Sequence, residues 1–146
     1  MDNVLICEMT EADIETVSKI EEECFSMPWK PDDFREMIER DNMTYVVIKI
    51  DGEVAGGAGL RCIVGDGEIT NVAITGKHRG KGYSKPMLEA LLKKGEELGC
   101  EAYTLEVRVS NVPAIRLYES LGFVSEGVRP GFYEHPREDA LIMWKR

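Results

Sequence analysis

The sequence contains no long apolar run. Its longest ones, such as residues 45–48, are far too short to cross a bilayer, so we expect no membrane-spanning helix. The first residues, Met1-Asp2-Asn3-Val4, contain neither the basic region nor the apolar region of a signal peptide. We therefore expect a cytoplasmic protein without a membrane partner.

Cysteine and histidine are few. The 4 cysteines are widely separated, no Cys-x-x-Cys pair occurs, and only 2 histidines are available to join them. This spacing is unlike that of a metal site, so we expect no bound metal. Reduced and mostly buried thiols are the simpler interpretation.

Positive charge is also scarce, because 18 lysines and arginines face 27 acidic residues, for a net charge of −9. A nucleic-acid-binding protein needs a basic face, so we expect no nucleic-acid partner. The acidic balance suits a cationic substrate, but solubility alone explains it equally well. With 146 residues, 43% of them hydrophobic, the chain is predicted to form one domain over residues 1–146. Nothing in the sequence indicates the oligomeric state.

Hydrophobic periodicity and turn residues predict a mixed α/β domain with the element order β-α-α-β-β-β-α-β-α-β-β. The predicted strands are 4–7, 44–50, 53–62, 69–74, 103–109, 123–128 and 140–144. Helices are predicted after Thr10, from Pro31, from Tyr83 to Leu98, and after Asn111, where Thr10 and Asn111 serve as N-caps. Asp51-Gly52 predicts a hairpin, and Gly65-Asp66-Gly67 predicts the next turn. A loop rich in proline, glycine and aromatic residues is expected between the last two strands.

The most informative segment is 77–85, where basic residues and two glycines lie between an apolar strand and a helix. Glycine allows a tight turn and a close approach to a ligand, and the first N–H groups of a helix have no internal partner. Together they form a site for a phosphate or pyrophosphate. The spacing matches neither a Walker A motif nor a Rossmann fingerprint. From these residues alone, a simple turn remains an open interpretation.

The pattern Arg79-x-x-Gly82-x-Ser84 resembles the acetyl-CoA loop of the GNAT acetyltransferases, and the element order is also that of this family. Segments 105–111, 117–123 and 138–143 are more specifically similar to the RimI-like branch, which acetylates the N-terminal alanine of a small-subunit ribosomal protein. The resemblance covers essentially the whole chain. It implies a GNAT fold with a mixed, mostly antiparallel central sheet flanked by helices. It also implies acetyl-CoA as co-substrate and the N-terminus of a ribosomal protein as acceptor.

The resemblance also implies a set of cofactor contacts. The backbone of Val72, Ala73 and Ile74 is expected to line the acetyl group and pantetheine, much as a peptide pairs with a strand edge. The pyrophosphate and the region beside it are assigned to Arg79, Gly80, Lys81, Gly82, Tyr83, Ser84, Lys85 and Asn111. Ser84 stands where the family usually has Gly or Ala, and Pro86 lies in the first turn, where proline is tolerated. We expect these two departures to change cofactor affinity rather than abolish binding.

Two residues match the catalytic positions of the family. Glu106 corresponds to the general base, although an outward Glu beside Arg108 is also typical of a solvated ion pair. An exposed carboxylate is a weak base for an ammonium group, so burial or a relay water is expected. Tyr118 corresponds to the general acid, since a phenol stays protonated at neutral pH. It also lies at the edge of an apolar helix stripe, so core packing is the competing interpretation.

The resemblance also implies that two aromatic segments, 25–29 and 131–136, lie beside the N-terminus of the acceptor peptide. The predicted contacts are Phe25, Pro28, Trp29, Glu68 and Tyr133; loop packing over the sheet is the alternative for the two segments. An α-amine, with a pKa of ~8, is partly neutral at pH 7, whereas lysine at ~10.4 is almost wholly charged. This favours a chain N-terminus. Acetylation of a lysine or a small amine stays open, as does a non-catalytic acetyl-CoA-binding module.

Overall fold

The computed structural model describes residues 3–146, so Met1 and Asp2 of the N-terminal segment lie outside the described residues. The strands are β1 Val4–Glu8, β2 Met43–Ile50, β3 Glu53–Ile63, β4 Asp66–Ile74, β5 Ala102–Arg108, β6 Val124–Glu134 and β7 Arg137–Lys145. The helices are α1 Ile14–Cys24, α2 Pro31–Glu39, α3 Ser84–Glu97 and α4 Val112–Ser120. Short 3-10 turns, Glu11–Asp13 and Gly76–His78, precede α1 and follow β4. The predicted element order is confirmed.

All seven strands form one sheet in the order β1-β2-β3-β4-β5-β7-β6. Every neighbouring pair is antiparallel except β4 and β5, which run parallel. Apolar residues of α3 and α4 pack into a core on one face, and those of α1 and α2 pack into a smaller core on the other. This mixed, mostly antiparallel sheet between helices is the predicted fold class. Among residues 3–146, no helix is long and apolar enough to cross a membrane.

Local signals explain several of these boundaries. Asp51 and Gly52 both have positive φ, 52° and 86°, as the tight turn of the β2–β3 hairpin requires. Asn111 caps α4, because its side-chain oxygen accepts a hydrogen bond from the Ala114 N–H at 3.3 Å. Thr10 is the N-cap of the 3-10 turn that leads into α1, and its N–H and hydroxyl both donate to the Asp13 carboxylate, at 2.9 and 3.2 Å.

Two predicted loops are shorter than expected. The turn after β3 uses Val64 and Gly65, with φ of 47° and 82°, and β4 already begins at Asp66. The expected loop between the last two strands is largely strand, because β6 extends to Glu134 and β7 starts at Arg137. Cross-strand contacts account for the extension, such as the bond from the Gly131 N–H to the Asp139 carboxylate at 2.8 Å. Tyr133 therefore lies on strand β6 rather than in a loop.

Candidate active site

A V-shaped opening divides the sheet between β4 and β5. The two strands pair only over residues 66–68 and 102–104. Beyond that point the described ladders join β4 only to β3, and β5 only to β7. Residues 72–74 and 105–108 thus form the two arms of the opening. An extended ligand arm with amide groups fits beside such a free strand edge.

A β-bulge lies where the opening begins. Between the pairs Gly59–Thr70 and Gly57–Ala73, β4 contains one residue more than β3. Asn71 lies in this bulge with φ of 32°, a left-handed conformation that asparagine tolerates better than most residues. The bulge re-aims the backbone of 72–74, which is the segment predicted to line the acetyl group.

The glycine loop and the start of α3 fit a pyrophosphate. Gly80 and Gly82 have φ of 73° and 82°, and a Cβ added to either would have no other described heavy atom within 4 Å. Tyr83, the N-cap of α3, makes no side-chain cap hydrogen bond. The helical bonding begins with the Met87 N–H and the Tyr83 carbonyl, at 3.4 Å. The N–H groups of the first turn therefore have no helical partner, as an anion site requires.

The two departures from the family pattern lie in this first turn. Ser84 is the first residue of α3 and is half-buried, whereas Pro86 is exposed two positions later. Proline at this position removes no helical hydrogen bond. The side chain of Lys85 is exposed beside it, where a cation can face a phosphate.

The side chain of Arg79 has partners within the protein. Its Nε donates to the carbonyl of Ile74 at 2.9 Å, and its Nη2 donates to the Cys24 sulfur at 3.1 Å. The guanidinium also lies 3.8 Å from the Glu23 carboxylate. In this structure, Arg79 ties the glycine loop to α1. The predicted pyrophosphate contact of Arg79 stays a prediction.

Glu106 lies on the β5 arm of the opening. It is half-buried, and its carboxylate is 3.6 Å from the guanidinium of Arg129 on β6, with 24% of the side chain exposed. Arg108, two residues along, bonds instead with Glu138 and stacks 4.3 Å above the Tyr133 ring. Glu106 therefore pairs with Arg129 and not with Arg108, its partner in the alternative interpretation.

Tyr118 lies on α4, on the face of the sheet that carries the larger core. It is 7% exposed and packs with Phe123 in the larger core, so the packing interpretation describes its ring correctly. Burial, with a smaller effect from Tyr133, raises the pKa of its phenol to about 12. Burial and the charge of Glu106 also raise the pKa of Tyr133.

The predicted acceptor residues come from the segment between α1 and α2, from β4 and from β6. Trp29 packs 5.5 Å from Phe34 and lines a cavity of about 210 Å³ together with Met37, Met43 and Thr70. Phe25 is half-buried and Pro28 is exposed in the segment between α1 and α2.

Glu68 lies at the closed end of the opening, where its strand still pairs with Thr104. Its carboxylate is 3.5 Å from the Arg61 guanidinium. An amine held by Glu68 would therefore have to share this carboxylate with Arg61.

One buried acid was missed at the sequence level. Glu21 is fully buried, accepts a hydrogen bond from the Asn71 side chain, and has a pKa raised to about 7, mainly by burial. Its second oxygen has no partner among residues 3–146, and neither do the Tyr45 hydroxyl and the Thr70 hydroxyl. The sequence spacing indicates this burial, because Glu21 follows Ile14 and Val17 at helical intervals on the buried side of α1.

Comparison with known proteins agrees with this geometry. The sequence model of the Acetyltransferase (GNAT) family matches residues 14–123, and the chain belongs to this family. It is an acetyltransferase whose co-substrate is acetyl-CoA.

Particular relatives confirm the resemblance to the RimI-like branch. A Bacillus subtilis protein named "Putative ribosomal protein bS18-alanine N-acetyltransferase" is 38% identical over 133 residues, covering 90% of this chain and 88% of that one. The crystal structure of the ribosomal-protein-S18-alanine N-acetyltransferase from Escherichia coli superimposes with a TM-score of 0.87 at 28% identity, covering 98% of this chain and 93% of that one. The structure of yncA from Salmonella typhimurium, solved with its cofactor acetyl-CoA, shares the fold with a TM-score of 0.85 at 20% identity, covering 98% and 93%.

Proposed function

We propose that the protein transfers the acetyl group of acetyl-CoA to the N-terminal α-amine of a ribosomal protein, with alanine as the acceptor residue. The structural observation that carries this proposal is the incomplete β4–β5 ladder, which leaves residues 72–74 and 105–108 as two strand edges that do not pair with each other, with Glu106 on the second. The names of the Bacillus and Escherichia relatives support the choice of acceptor.

The opening provides the groups that acetyl transfer needs. Acetyl-CoA, when bound, supplies an acetyl group activated as a thioester. Residues 72–74 offer backbone N–H donors to the thioester carbonyl, where negative charge develops. The first turn of α3, with Gly80, Lys81, Gly82 and Lys85 beside it, holds the pyrophosphate, and Asn111 contacts the cofactor at the start of α4.

Proton transfer is assigned to two side chains. Glu106 accepts the proton of the attacking amine, directly or through one water. Tyr118 donates to the departing thiolate; its phenol, with a pKa near 12, stays protonated throughout the physiological range. Because that pKa is high, Tyr118 releases its proton only as charge builds on the sulfur.

The acceptor side selects a chain terminus. At pH 7 roughly a tenth of an α-amine is neutral, against less than about a thousandth of a lysine side chain, so a single carboxylate base suffices for the former. Phe25, Pro28, Trp29 and Tyr133 are proposed to contact the first residues of the peptide. Glu68 is proposed to attract the amine.

A direct test uses three acceptors with acetyl-CoA: a peptide with the alanine-first N-terminus of ribosomal protein bS18, the same peptide with a blocked α-amine, and spermidine. The free peptide is expected to gain one acetyl mass, and the other two are expected to remain unchanged. Acetylation of the blocked peptide or spermidine alone would show that the acceptor is a lysine or a small amine. Binding of acetyl-CoA without any transfer would identify a non-catalytic binding module.

A further inference from the structure

The last turn of α1 contacts β4 at the start of the opening. The buried carboxylate of Glu21 accepts a hydrogen bond from the Asn71 side chain, which lies in the bulge. Asn71 has a left-handed backbone there, a conformation that costs energy unless its surroundings fix it. The Glu21 contact provides that restraint just before residue 72.

Two residues later in α1, Glu23 holds the other end of the same segment. Its carboxylate accepts the Gly76 N–H at 2.6 Å and the Thr75 hydroxyl at 3.0 Å. Cys24, next in sequence, donates to the Ile74 carbonyl at 3.5 Å, and Arg79 donates to the same oxygen at 2.9 Å. One helical turn thus contacts both ends of residues 72–74.

We propose that Glu21 and Glu23 are positioning residues for acetyl-CoA: their carboxylates fix the two ends of residues 72–74 and so set the backbone against which the cofactor lies. Neither carboxylate needs to touch the cofactor for this role. Since α1 continues directly into the acceptor segment 25–29, the same turn connects the acceptor side of the sheet to the cofactor strand.

The chemistry of the two acids supports a positioning role. A buried carboxyl without full hydrogen bonding is costly, so Glu21 contributes less to the core than an apolar residue of the same size would. Glu23 is a negative charge beside a loop proposed to bind an anion, with 46% of its side chain exposed. Coulomb repulsion alone would make Glu23 unfavourable for cofactor binding, so its hydrogen bonds to the loop must outweigh that repulsion if it positions the strand.

The positioning role and the Coulomb repulsion predict opposite effects of Glu23→Ala on cofactor binding, so this variant is decisive. Glu22→Ala is the matched control. Glu22 is an exposed acid on the same turn, so its substitution removes the same charge without touching residues 71–79. Titration calorimetry with CoA is expected to show roughly tenfold weaker binding for Glu23→Ala and unchanged or slightly tighter binding for Glu22→Ala. Equal or tighter binding by Glu23→Ala would overturn the positioning role of Glu23.

Glu21 is tested through a double-mutant cycle with Asn71. Asn71→Gly keeps the left-handed backbone accessible but removes the hydrogen bond, and Glu21→Leu removes the other partner. Each single variant is expected to weaken CoA binding, and Glu21→Leu is expected to add little in the Asn71→Gly background. Fully additive losses would show that Glu21 does not act through Asn71. CoA affinity is measured on the folded protein, and thermal unfolding is followed in parallel. A purely structural role of Glu21 would lower the melting temperature and leave the CoA affinity unchanged.

Residues 72–74 bind the cofactor only if the proposed function holds, so one variant tests that site separately. Gly82→Ala strains the exposed glycine loop at a φ of 82° without touching α1. If Gly82→Ala loses CoA affinity while Glu23→Ala does not, the cofactor site stands and the positioning role fails. If Gly82→Ala binds CoA like the unchanged protein, the cofactor site itself is misplaced and the inference falls with it. The acceptor identity affects neither measurement.

Discussion

At the residue scale, Glu21 is an acidic side chain that lies inside the core. It is fully buried, and burial raises its pKa from 4.5 to about 7 in the folded protein. The folded state therefore binds this proton more tightly than the unfolded state does. The resulting contribution to stability is fully present below pH ~4.5 and is lost as the pH rises through about 7.

Glu21→Gln is expected to remove this pH dependence, because the amide keeps the shape but does not titrate. Relative to the variant, the unchanged protein should lose on the order of 3 kcal/mol of unfolding free energy between pH 4.5 and 7.5. Urea unfolding at several pH values across this range provides the measurement. Stability curves that stay parallel would show that Glu21 does not titrate with a raised pKa in the folded state.

A second residue-scale prediction concerns Gly57 on β3. A Cβ at this position would lie 2.3 Å from Cε1 and 2.7 Å from the hydroxyl of Tyr45, a ring that is itself buried. Gly57→Ala should therefore destabilise the protein by about 1–3 kcal/mol through overpacking. Gly127→Ala is the control, since no other heavy atom within the described chain lies within 4 Å of its Cβ position. Equal unfolding midpoints for the two variants would contradict the packing described here.

At the element scale, the proposed site draws its residues from several elements. Glu106 comes from β5, Tyr118 from α4 and Tyr133 from β6, and the parallel β4–β5 ladder pairs over only three residues of each strand. The two proposed proton-transfer roles are therefore separable by single substitutions.

Glu106→Gln should slow acetylation by roughly 10²-fold and leave CoA affinity unchanged. The loss should be largest at low pH, where nearly all of the α-amine carries its proton, and smaller at high pH, where the amine is already neutral. A pH–rate profile with a CoA titration checks both points. A variant as active as the unchanged protein at pH 6 would exclude Glu106 as the base.

Tyr118→Phe should lower kcat by roughly 10²-fold while the unfolding free energy changes by less than about 1 kcal/mol. The ring keeps its packing against Phe123, and only the hydroxyl is lost. Steady-state kinetics and chemical unfolding of the same preparation separate the two effects. Full activity would leave Tyr118 as a core residue only.

Local signals in the sequence determine most of the elements. The β2–β3 turn depends on only two residues, Asp51 and Gly52, and the start of α4 depends on the Asn111 cap, so both were predictable. The Tyr133 strand was not, because proline and glycine indicate a loop unless cross-strand partners such as Asp139 are known. The Cys24 partner of Arg79 and the Asn71 partner of Glu21 lie about 50 positions away in sequence, and no local pattern reveals them.

At the scale of the whole molecule, two proposed binding regions share the sheet. The glycine loop and α3 are proposed to hold the cofactor, and α1, α2 and the segment between them are proposed to form the acceptor side. The two regions are joined where Glu23 and Cys24 of α1 contact Gly76 and Arg79. A net charge of −9 is compatible with the proposed attraction of a cationic chain terminus, while the basic residues of segment 77–85 are proposed to face the anionic cofactor.

The central claim is transfer to an α-amine, and one peptide tests it most directly. The peptide begins with alanine and carries one internal lysine, so both amines compete within one molecule. After incubation with acetyl-CoA at pH 7, tandem mass spectrometry locates the acetyl group. We predict that it lies on the N-terminal alanine. Acetylation of the lysine side chain, with the N-terminus left free, would contradict the proposed function.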